Sequence, residues 1–69
     1  MDSTAKEIGQ KLKTARSAKN LTQNDLARLV GMNVTSYARV ERGEVSVTLD
    51  NFLKILKVLD LKLDQLVKQ

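Results

Sequence analysis

The segment from residue 34 to residue 42, VTSYARVER, holds the side chains of this chain best suited to recognising another molecule. At 100° per residue, five of them fall within about 140° of arc on one side of a helix. They are Val34, Thr35, Ala38, Arg39 and Arg42. Small side chains allow a close approach, and the planar guanidinium of arginine matches a phosphate group or the edge of a guanine base. The pattern therefore predicts a helix whose outer face fits the major groove of double-stranded B-DNA.

The residue types needed for most enzyme chemistry are missing from the sequence. There is no histidine and no cysteine, which excludes an imidazole base or ligand, a thiolate metal site and a disulfide. One tyrosine and scattered carboxylates and lysines remain, without a glycine-rich phosphate loop. We therefore predict that the protein is not an enzyme and uses no cofactor or metal.

Positive charge is unevenly distributed along the chain, whose formal net charge is +4. Residues 1–40 contain seven Lys/Arg and three Asp/Glu, whereas residues 41–69 contain five of each, so the whole excess lies in the first part. A basic surface of this kind is typical of a protein that binds a polyanion. The alternative is a solvated cationic surface that only keeps a protein soluble, and charge alone slightly favours that alternative.

The sequence gives no indication of a membrane or secreted protein. Apolar runs extend over only a few residues, whereas a bilayer-spanning helix needs about 20. The N-terminal stretch MDSTAKEIGQ lacks the basic and apolar regions of a signal peptide. We expect a single cytoplasmic domain over residues 1–69 with no membrane partner.

Helix start and stop signals divide the chain into five short helices. A threonine or asparagine N-cap precedes each of the first four helices, at Thr4, Thr22, Asn33 and Thr48. The predicted first helix runs from about Ala5 to Lys19, and Gly31 and Gly43 end the second and third helices. A fifth helix is predicted from about Leu63 to Val67. With no proline, this pattern predicts a compact all-α bundle with mixed crossing angles.

Only Gly31 and two further residues separate the second and third helices. Two helices joined so closely cannot lie antiparallel with much contact. Tyr37 and Val40 point away from the outer arc of the third helix and are predicted core residues. The second helix then braces the third from behind and leaves its front free.

One longer pattern combines these signals, TQxxLAxxxGxxxxSYxRVERG over residues 22–43. It resembles the helix-turn-helix of the phage-repressor family (XRE, Cro-like), and the resemblance extends from about Ile8 to Leu66. The resemblance implies a compact five-helix, lambda-repressor-like DNA-binding domain. It also implies that Arg16 and Glu41 form a structural salt bridge between the first and third helices.

The resemblance implies roles in DNA binding for matching positions. Bases are contacted from the third helix, and the predicted residues are Val34, Thr35, Ala38 and Arg39. Arg39 is the predicted reader of a guanine; the alternatives are a phosphate contact or a solvated arginine. Phosphates are contacted by polar residues around both helices, and the predicted set is Gln23, Asn24, Asn33, Ser36, Tyr37, Arg42 and Ser46. Gln23 lies where the free N–H groups of a helix start attract an anion, and the alternative is an ordinary polar residue at a helix start.

Some positions differ from the usual pattern of the family. Val34 and Ala38 stand where relatives often carry glutamine or serine, so recognition depends more on thymine methyl groups and DNA shape. Tyr37 replaces a small aliphatic residue, which predicts a ring in the core and a hydroxyl near solvent or a phosphate. Glu44 stands where many relatives place a basic residue, and its carboxylate repels a phosphate.

The fourth and fifth helices carry more apolar side chains than one small core needs. The inward stripe of the fourth helix is predicted to consist of Leu49, Phe52, Leu53 and Leu56. The remaining apolar residues predict a homodimer interface at Ile55, Val58, Leu59, Leu63 and Val67. The alternative is a monomer in which the fifth helix folds back over Ile55 and Val58.

These observations predict a transcription regulator, most simply a repressor, that binds a short palindromic operator as a homodimer. One alternative is a DNA-binding antitoxin whose apolar surface holds a toxin. Another is a regulator that resembles restriction–modification controller proteins and also touches RNA polymerase. A purely structural helical adaptor is the third alternative, but it leaves the basic outer face of residues 34–42 without a purpose.

Overall fold

The computed structural model describes residues 4–44 and 47–66, and these contain five α-helices and no strand. The helices are α1 (Ala5–Ala18), α2 (Gln23–Val30), α3 (Val34–Glu41), α4 (Leu49–Leu59) and α5 (Leu63–Leu66). The prediction of an all-α fold of five helices in this order is confirmed. Ser46 and Val67, two predicted site residues, lie outside the described residues.

Each of the first four helices begins where a side-chain oxygen accepts a backbone N–H that the helix itself leaves unpaired. Thr4 accepts from the N–H of Glu7, and Thr22 accepts from the N–H of Asp25. The two acidic side chains accept in return from the N–H groups of the threonines, which completes both capping boxes. Asn33 and Thr48 cap α3 and α4 in the same way.

The turn between α2 and α3 is as short as the sequence indicates. Gly31 ends α2 in the left-handed conformation, with φ at +76°. Two residues later Asn33 caps α3. Met32 donates its N–H to the carbonyl oxygen of Ala27 at 2.8 Å, which fixes the direction in which the chain leaves α2.

The core lies between α1, α2, α3 and α4, and α5 contributes Leu66 to it. Its largest fully buried side chains are Leu12, Leu26, Tyr37, Ile55 and Leu66. The backbones of α1 and α3 approach very closely at Gly9, where a Cβ atom would collide with the carbonyl oxygen of Glu41. Because any larger residue at this position would push the helices apart, this glycine sets the position of α3 on α1.

The predicted inward stripe of α4 is correct for Leu56 and Phe52, which pack in or against the core, and wrong for Leu49 and Leu53. Ile55, Leu56 and Leu59 face the core, whereas Leu49 is 72% exposed and Leu53 is 52% exposed. The apolar band of α4 is wider than the surface that α1 and α2 cover, so one side of the band remains outside.

Two of the predicted interface residues are also wrong because of the way α4 packs. Ile55 and Leu59 are buried within one chain and are not available to a second copy. Val58 is half-buried and Leu63 is exposed. Leu66 of α5 belongs to the same core as Ile55, and the Nζ of Lys11 donates to the Leu66 carbonyl oxygen at 3.3 Å. The alternative in which α5 folds back onto its own chain therefore describes Ile55 correctly.

Candidate nucleic-acid interface

Helix α3 has one exposed face and one buried face. Its outer side exposes Val34, Thr35, Ser36 and Arg39, with Arg42 just beyond its end. Ala38 is half-buried on the same side. The inner side buries Tyr37, Val40 and Glu41. The inner side of α3 thus packs against the rest of the domain. The outer side, which carries the predicted base-contacting residues, remains accessible.

A buried carboxylate anchors the back of α3. Glu41 Oε2 accepts from Arg16 Nε at 2.7 Å and from the hydroxyl of Tyr37 at 2.5 Å. Glu41 Oε1 accepts from Arg16 Nη2 at 3.3 Å and from Gln23 Nε2 at 2.9 Å. Arg16 also donates to the carbonyl oxygen of Leu21 at 2.7 Å. The predicted Arg16–Glu41 pair is therefore part of a four-residue network that joins α1, α2 and α3.

The network keeps Glu41 ionised and Tyr37 protonated. Burial raises the pKa of the Glu41 carboxyl, but the hydrogen bonds from Arg16, Tyr37 and Gln23 outweigh it and bring the pKa below its usual value. Burial and the hydrogen bond to Glu41 both raise the pKa of the Tyr37 hydroxyl far above its usual value. Each group is therefore in the protonation state that its hydrogen bonds require at neutral pH.

The environment of Tyr37 rules out its predicted contact with a DNA phosphate. The side chain is fully buried, and its hydroxyl proton is directed to Glu41. The predicted ring in the core is present, but the hydroxyl is directed inward. The reason is that a buried carboxylate within reach is a stronger acceptor than the distant solvent.

Gln23 connects this network to the surface. It is the first residue of α2, its side chain is half-buried, and its Nε2 atom donates to Glu41. An amide group carries a second N–H, so the same side chain can also donate outward. The helix start adds unpaired backbone N–H groups at this point. Gln23 thus has a fixed orientation at the position where a phosphate contact was predicted.

Two grooves flank Gln23 and extend the basic surface beyond the helix-turn-helix. One is lined by Lys6, Gln10, Lys13 and Arg42 together with Gln23, Glu41 and Glu44. The other runs from Lys13 past Asn24 to Val34. Lys6 and Lys13 were missed by the motif, which begins at Thr22. The signal that could have found them is the positive charge excess of the first 40 residues.

Most of the remaining predicted phosphate contacts are accessible. Asn24, Asn33 and Ser36 are exposed. The Asn33 side-chain oxygen accepts the N–H of Thr35 at 2.8 Å, which leaves its NH₂ group as the available donor. Asn33 and Ser36 lie at the start of α3, and Asn24 lies at the start of α2.

A carboxylate engages both arginines of the outer face. Glu44 accepts from Arg42 Nε at 2.9 Å and from Arg42 Nη2 at 3.3 Å. Its Oε1 atom also lies 3.8 Å from Arg39 Nε. All three side chains are about half exposed. These hydrogen bonds raise the pKa of Arg42 and lower the pKa of Glu44, so the pair is charged at neutral pH.

Comparison with known proteins identifies the kind of molecule to which this surface belongs. A family model described as helix-turn-helix matches residues 12–66. The chain is 37% identical over 60 residues to the Cryptic phage CTXphi transcriptional repressor RstR of Vibrio cholerae, and the match covers 87% of this chain and 54% of RstR. The chain thus spans about half the length of that curated relative.

Solved structures show the same fold. The restriction–modification controller protein C.AhdI from Aeromonas hydrophila superposes with a TM-score of 0.82 at 39% identity, covering 90% of this chain and 94% of C.AhdI. C.Esp1396I, solved bound to a 25 base pair operator site, gives a TM-score of 0.75 at 24% identity, covering 90% of this chain and 82% of C.Esp1396I.

Within residues 4–44 and 47–66, every helix is too short or too polar to traverse a lipid bilayer.

Proposed function

The chain belongs to the helix-turn-helix family, and we propose that it is a sequence-specific DNA-binding transcription regulator that acts as a repressor. The observation that carries this proposal is the division of α3 into two faces. Thr35 and Arg39 are exposed while Tyr37 and Val40 are buried, so the helix presents a narrow outer ridge that carries Arg39. A ridge of this width fits the major groove of B-DNA.

In the proposed complex the outer face of α3 reads bases. Arg39 donates two parallel hydrogen bonds to a guanine, and Thr35 adds a hydroxyl contact. Val34 and Ala38 carry only apolar groups, which suit the methyl group of thymine. Each well-formed bidentate contact discriminates against the wrong base by about 1–3 kcal/mol.

Phosphate contacts surround this ridge and fix its position on the duplex. Gln23 is the central one, because the Glu41 network holds its amide in place. Arg42, a predicted phosphate contact beyond the end of α3, is paired with Glu44 and reaches a phosphate only where that pair opens. Further donors on the same side are Lys6, Lys13, Asn24, Asn33 and Ser36.

We propose that two copies bind together on a palindromic operator. Leu49 and Leu53 are one helical turn apart on the uncovered side of α4, and Leu63 of α5 is also exposed. Exposed leucines on a small domain favour contact with a partner, and a two-fold axis is the simplest arrangement. Such a dimer separates the two α3 helices by about one turn of DNA, roughly 34 Å. Repression then follows from occupation of a promoter.

Selection of bound sequences from random duplexes tests the proposal as a whole. We expect a short palindrome with half-sites centred about one helical turn apart. A set of selected sequences without any shared half-site would contradict sequence-specific binding. A single half-site without its mirror image would retain DNA binding and contradict the dimer.

Two substitutions separate base reading from phosphate binding. Arg39→Ala should remove the preference at one position of each half-site, because its fork reads one base. Gln23→Ala should weaken binding to all sequences by about the same factor, because phosphates are common to every sequence. Repeating the selection with each variant measures both effects. If Arg39→Ala leaves every base preference intact, Arg39 is not the reader.

The dimer interface is tested by Leu53→Asp, with Leu29→Asp as the matched control. Leu29 is 62% exposed on α2, so the control introduces the same charge at an exposed leucine elsewhere. Leu53→Asp should shift the sedimentation mass from dimer to monomer, whereas Leu29→Asp should not. An unchanged dimer in Leu53→Asp would exclude this face. If a second, different polypeptide co-purifies with the parent protein and is lost from Leu53→Asp, the antitoxin alternative is favoured instead.

A second candidate is a controller-type regulator that also activates transcription. It is supported by the similarity to C.AhdI, which this chain matches over nearly its whole length at 39% identity. Transcription in vitro from a promoter carrying the selected site separates the two. A repressor lowers transcript yield at every protein concentration, whereas an activating controller raises it over part of the range.

A further inference from the structure

We infer that Glu44 determines specificity: it keeps Arg42 away from DNA phosphates and steadies Arg39 for base reading. This inference rests on the proposed function, because it concerns how the same surface distinguishes an operator from other DNA. Glu44 was expected only to repel phosphate. Its hydrogen bonds indicate a more specific role.

The backbone holds Glu44 against the end of α3. Gly43 turns the chain with φ at +73°, and a Cβ atom there would lie 2.6 Å from the Lys6 Cα atom. Glycine is therefore required at this turn, because a side chain would strain the left-handed backbone and would also collide with Lys6. After the turn, the N–H of Glu44 donates to the carbonyl oxygen of Arg39 at 2.9 Å. The main chain thus places Glu44 at the end of α3, where its side chain reaches Arg42.

The contact with Arg42 occupies the atoms that a phosphate would use. Nε and Nη2 form one edge of the guanidinium, and both donate to Glu44, at 2.9 Å and 3.3 Å. The same edge is the one that grips a phosphate through two parallel hydrogen bonds. Arg42 is therefore already neutralised in the free protein, and DNA must displace Glu44 to bind it.

The contact with Arg39 is different. The approach of Arg39 Nε to Glu44 Oε1 is 3.8 Å, which is beyond hydrogen-bond distance, so the guanidinium of Arg39 can donate to another partner. The guanidinium can donate to the O6 and N7 atoms of guanine while the carboxylate steadies the other side. Glu44 therefore restrains Arg39 without competing for the atoms that read a base.

These two contacts have opposite consequences for the two kinds of DNA. Binding to arbitrary sequences depends on phosphate contacts, and it loses the contribution of Arg42. Binding to the operator depends on the base contact of Arg39, which Glu44 supports. The carboxylate thus lowers affinity for arbitrary DNA more than affinity for the operator.

The test compares Glu44→Gln with Asp50→Asn in the full chain. Asp50 also lies in an exposed ion pair, with Lys54 at 3.1 Å on α4, so both variants change the net charge equally. Fluorescence anisotropy measures binding to the selected operator and to a random duplex of equal length over a range of salt concentrations. Thermal unfolding verifies that both variants are folded.

We expect Glu44→Gln to tighten binding to the random duplex about eightfold at about 0.1 M salt for each Arg42 that gains a phosphate. The logarithmic salt slope should steepen by about 0.9 for each such contact. Affinity for the operator should change less, and selection should show a weaker preference at the base that Arg39 reads. Asp50→Asn should produce none of these changes. Adding Arg42→Gln to Glu44→Gln should remove the gain on random DNA.

Two results would overturn the inference while leaving the proposed function intact. One is Glu44→Gln behaving like Asp50→Asn on both duplexes. The other is an equal gain on operator and random DNA, which would mean that Glu44 only repels phosphate. If the unmodified protein selects no sequence at all, the proposed function fails, and the inference fails with it.

Discussion

The two arginine–glutamate pairs at the ends of the Glu41–Glu44 segment have nearly the same geometry and opposite surroundings. Arg16 and Glu41 are joined at 2.7 Å with side chains 11% and 2% exposed. Arg42 and Glu44 are joined at 2.9 Å with side chains 56% and 49% exposed. Distance alone would rank them as equivalent interactions. Their surroundings give one a role in the fold and leave the other available for the binding role proposed above.

The buried pair cannot exchange its partners for water. Removing one charge leaves the other in a poorly hydrated site, and such a change typically costs about 3–5 kcal/mol. The exposed pair can exchange its partners for water or for a DNA phosphate at little cost to the fold. A segment of four residues therefore contains an anchor for α3 at one end and an adjustable contact at the other.

Glu41→Ala should have the largest effect on stability. It removes the shared acceptor of Arg16, Gln23 and Tyr37, so we expect a loss of about 3–5 kcal/mol. For a chain of this size the corresponding decrease in melting temperature is about 12–40 °C. Thermal unfolding followed by circular dichroism measures it. A decrease of only a few degrees would mean that the network contributes little to the fold.

Tyr37→Phe should have an intermediate effect, because the ring stays in the core while the hydrogen bond to a charged acceptor is lost. We expect a loss of about 1.5–3 kcal/mol. The raised pKa of Tyr37 predicts that its contribution is complete below its usual value of 10.0 and is lost as the pH rises above it. Denaturant unfolding at neutral and alkaline pH tests both points. Identical alkaline behaviour of the variant and the parent would contradict the role of the hydroxyl.

Acid should remove the contribution of the Glu41 carboxylate to the stability of the fold. The pKa of Glu41 in the folded state lies below its usual value of 4.5. Its stabilisation is therefore complete above pH 4.5 and is lost as the pH falls through the folded-state pKa. The Thr22 hydrogen bonds also lower the pKa of Asp25, so Asp25→Asn serves to subtract that contribution. If Glu41→Ala and the parent lose stability in parallel below pH 4.5, Glu41 is not the responsible carboxylate.

Glu44→Ala, which breaks the exposed pair, should have the smallest effect on stability. Water solvates Arg42 once the carboxylate is removed, so we expect no measurable change in melting temperature. The measurement is the same thermal unfolding used for Glu41→Ala. A decrease comparable to that of Glu41→Ala would show that exposure does not separate the two pairs.

Much of the proposed DNA-facing surface could be predicted because it depends on one helix. The face of α3 that carries Thr35 and Arg39 follows from the 100° periodicity, and the burial of Tyr37 and Val40 on the other side agrees with it. Lys6 and Lys13 could not be assigned in this way, since they join the surface only through the packing of α1 beside α3. The direction of the Tyr37 hydroxyl depends on a carboxylate one turn away and was predicted wrongly.

The starts of the first four helices and the turn between α2 and α3 follow from residues that are close neighbours in the sequence. The reason is that caps such as Thr22 with Asp25 join residues only three positions apart. Tertiary structure alone decided which side of α4 is buried, because both sides are apolar and only the neighbouring helices select Ile55 over Leu53. Tertiary packing also places Glu41 in a buried ion pair with Arg16 and Glu44 in an exposed ion pair with Arg42. Two glutamates three residues apart differ only in what surrounds them.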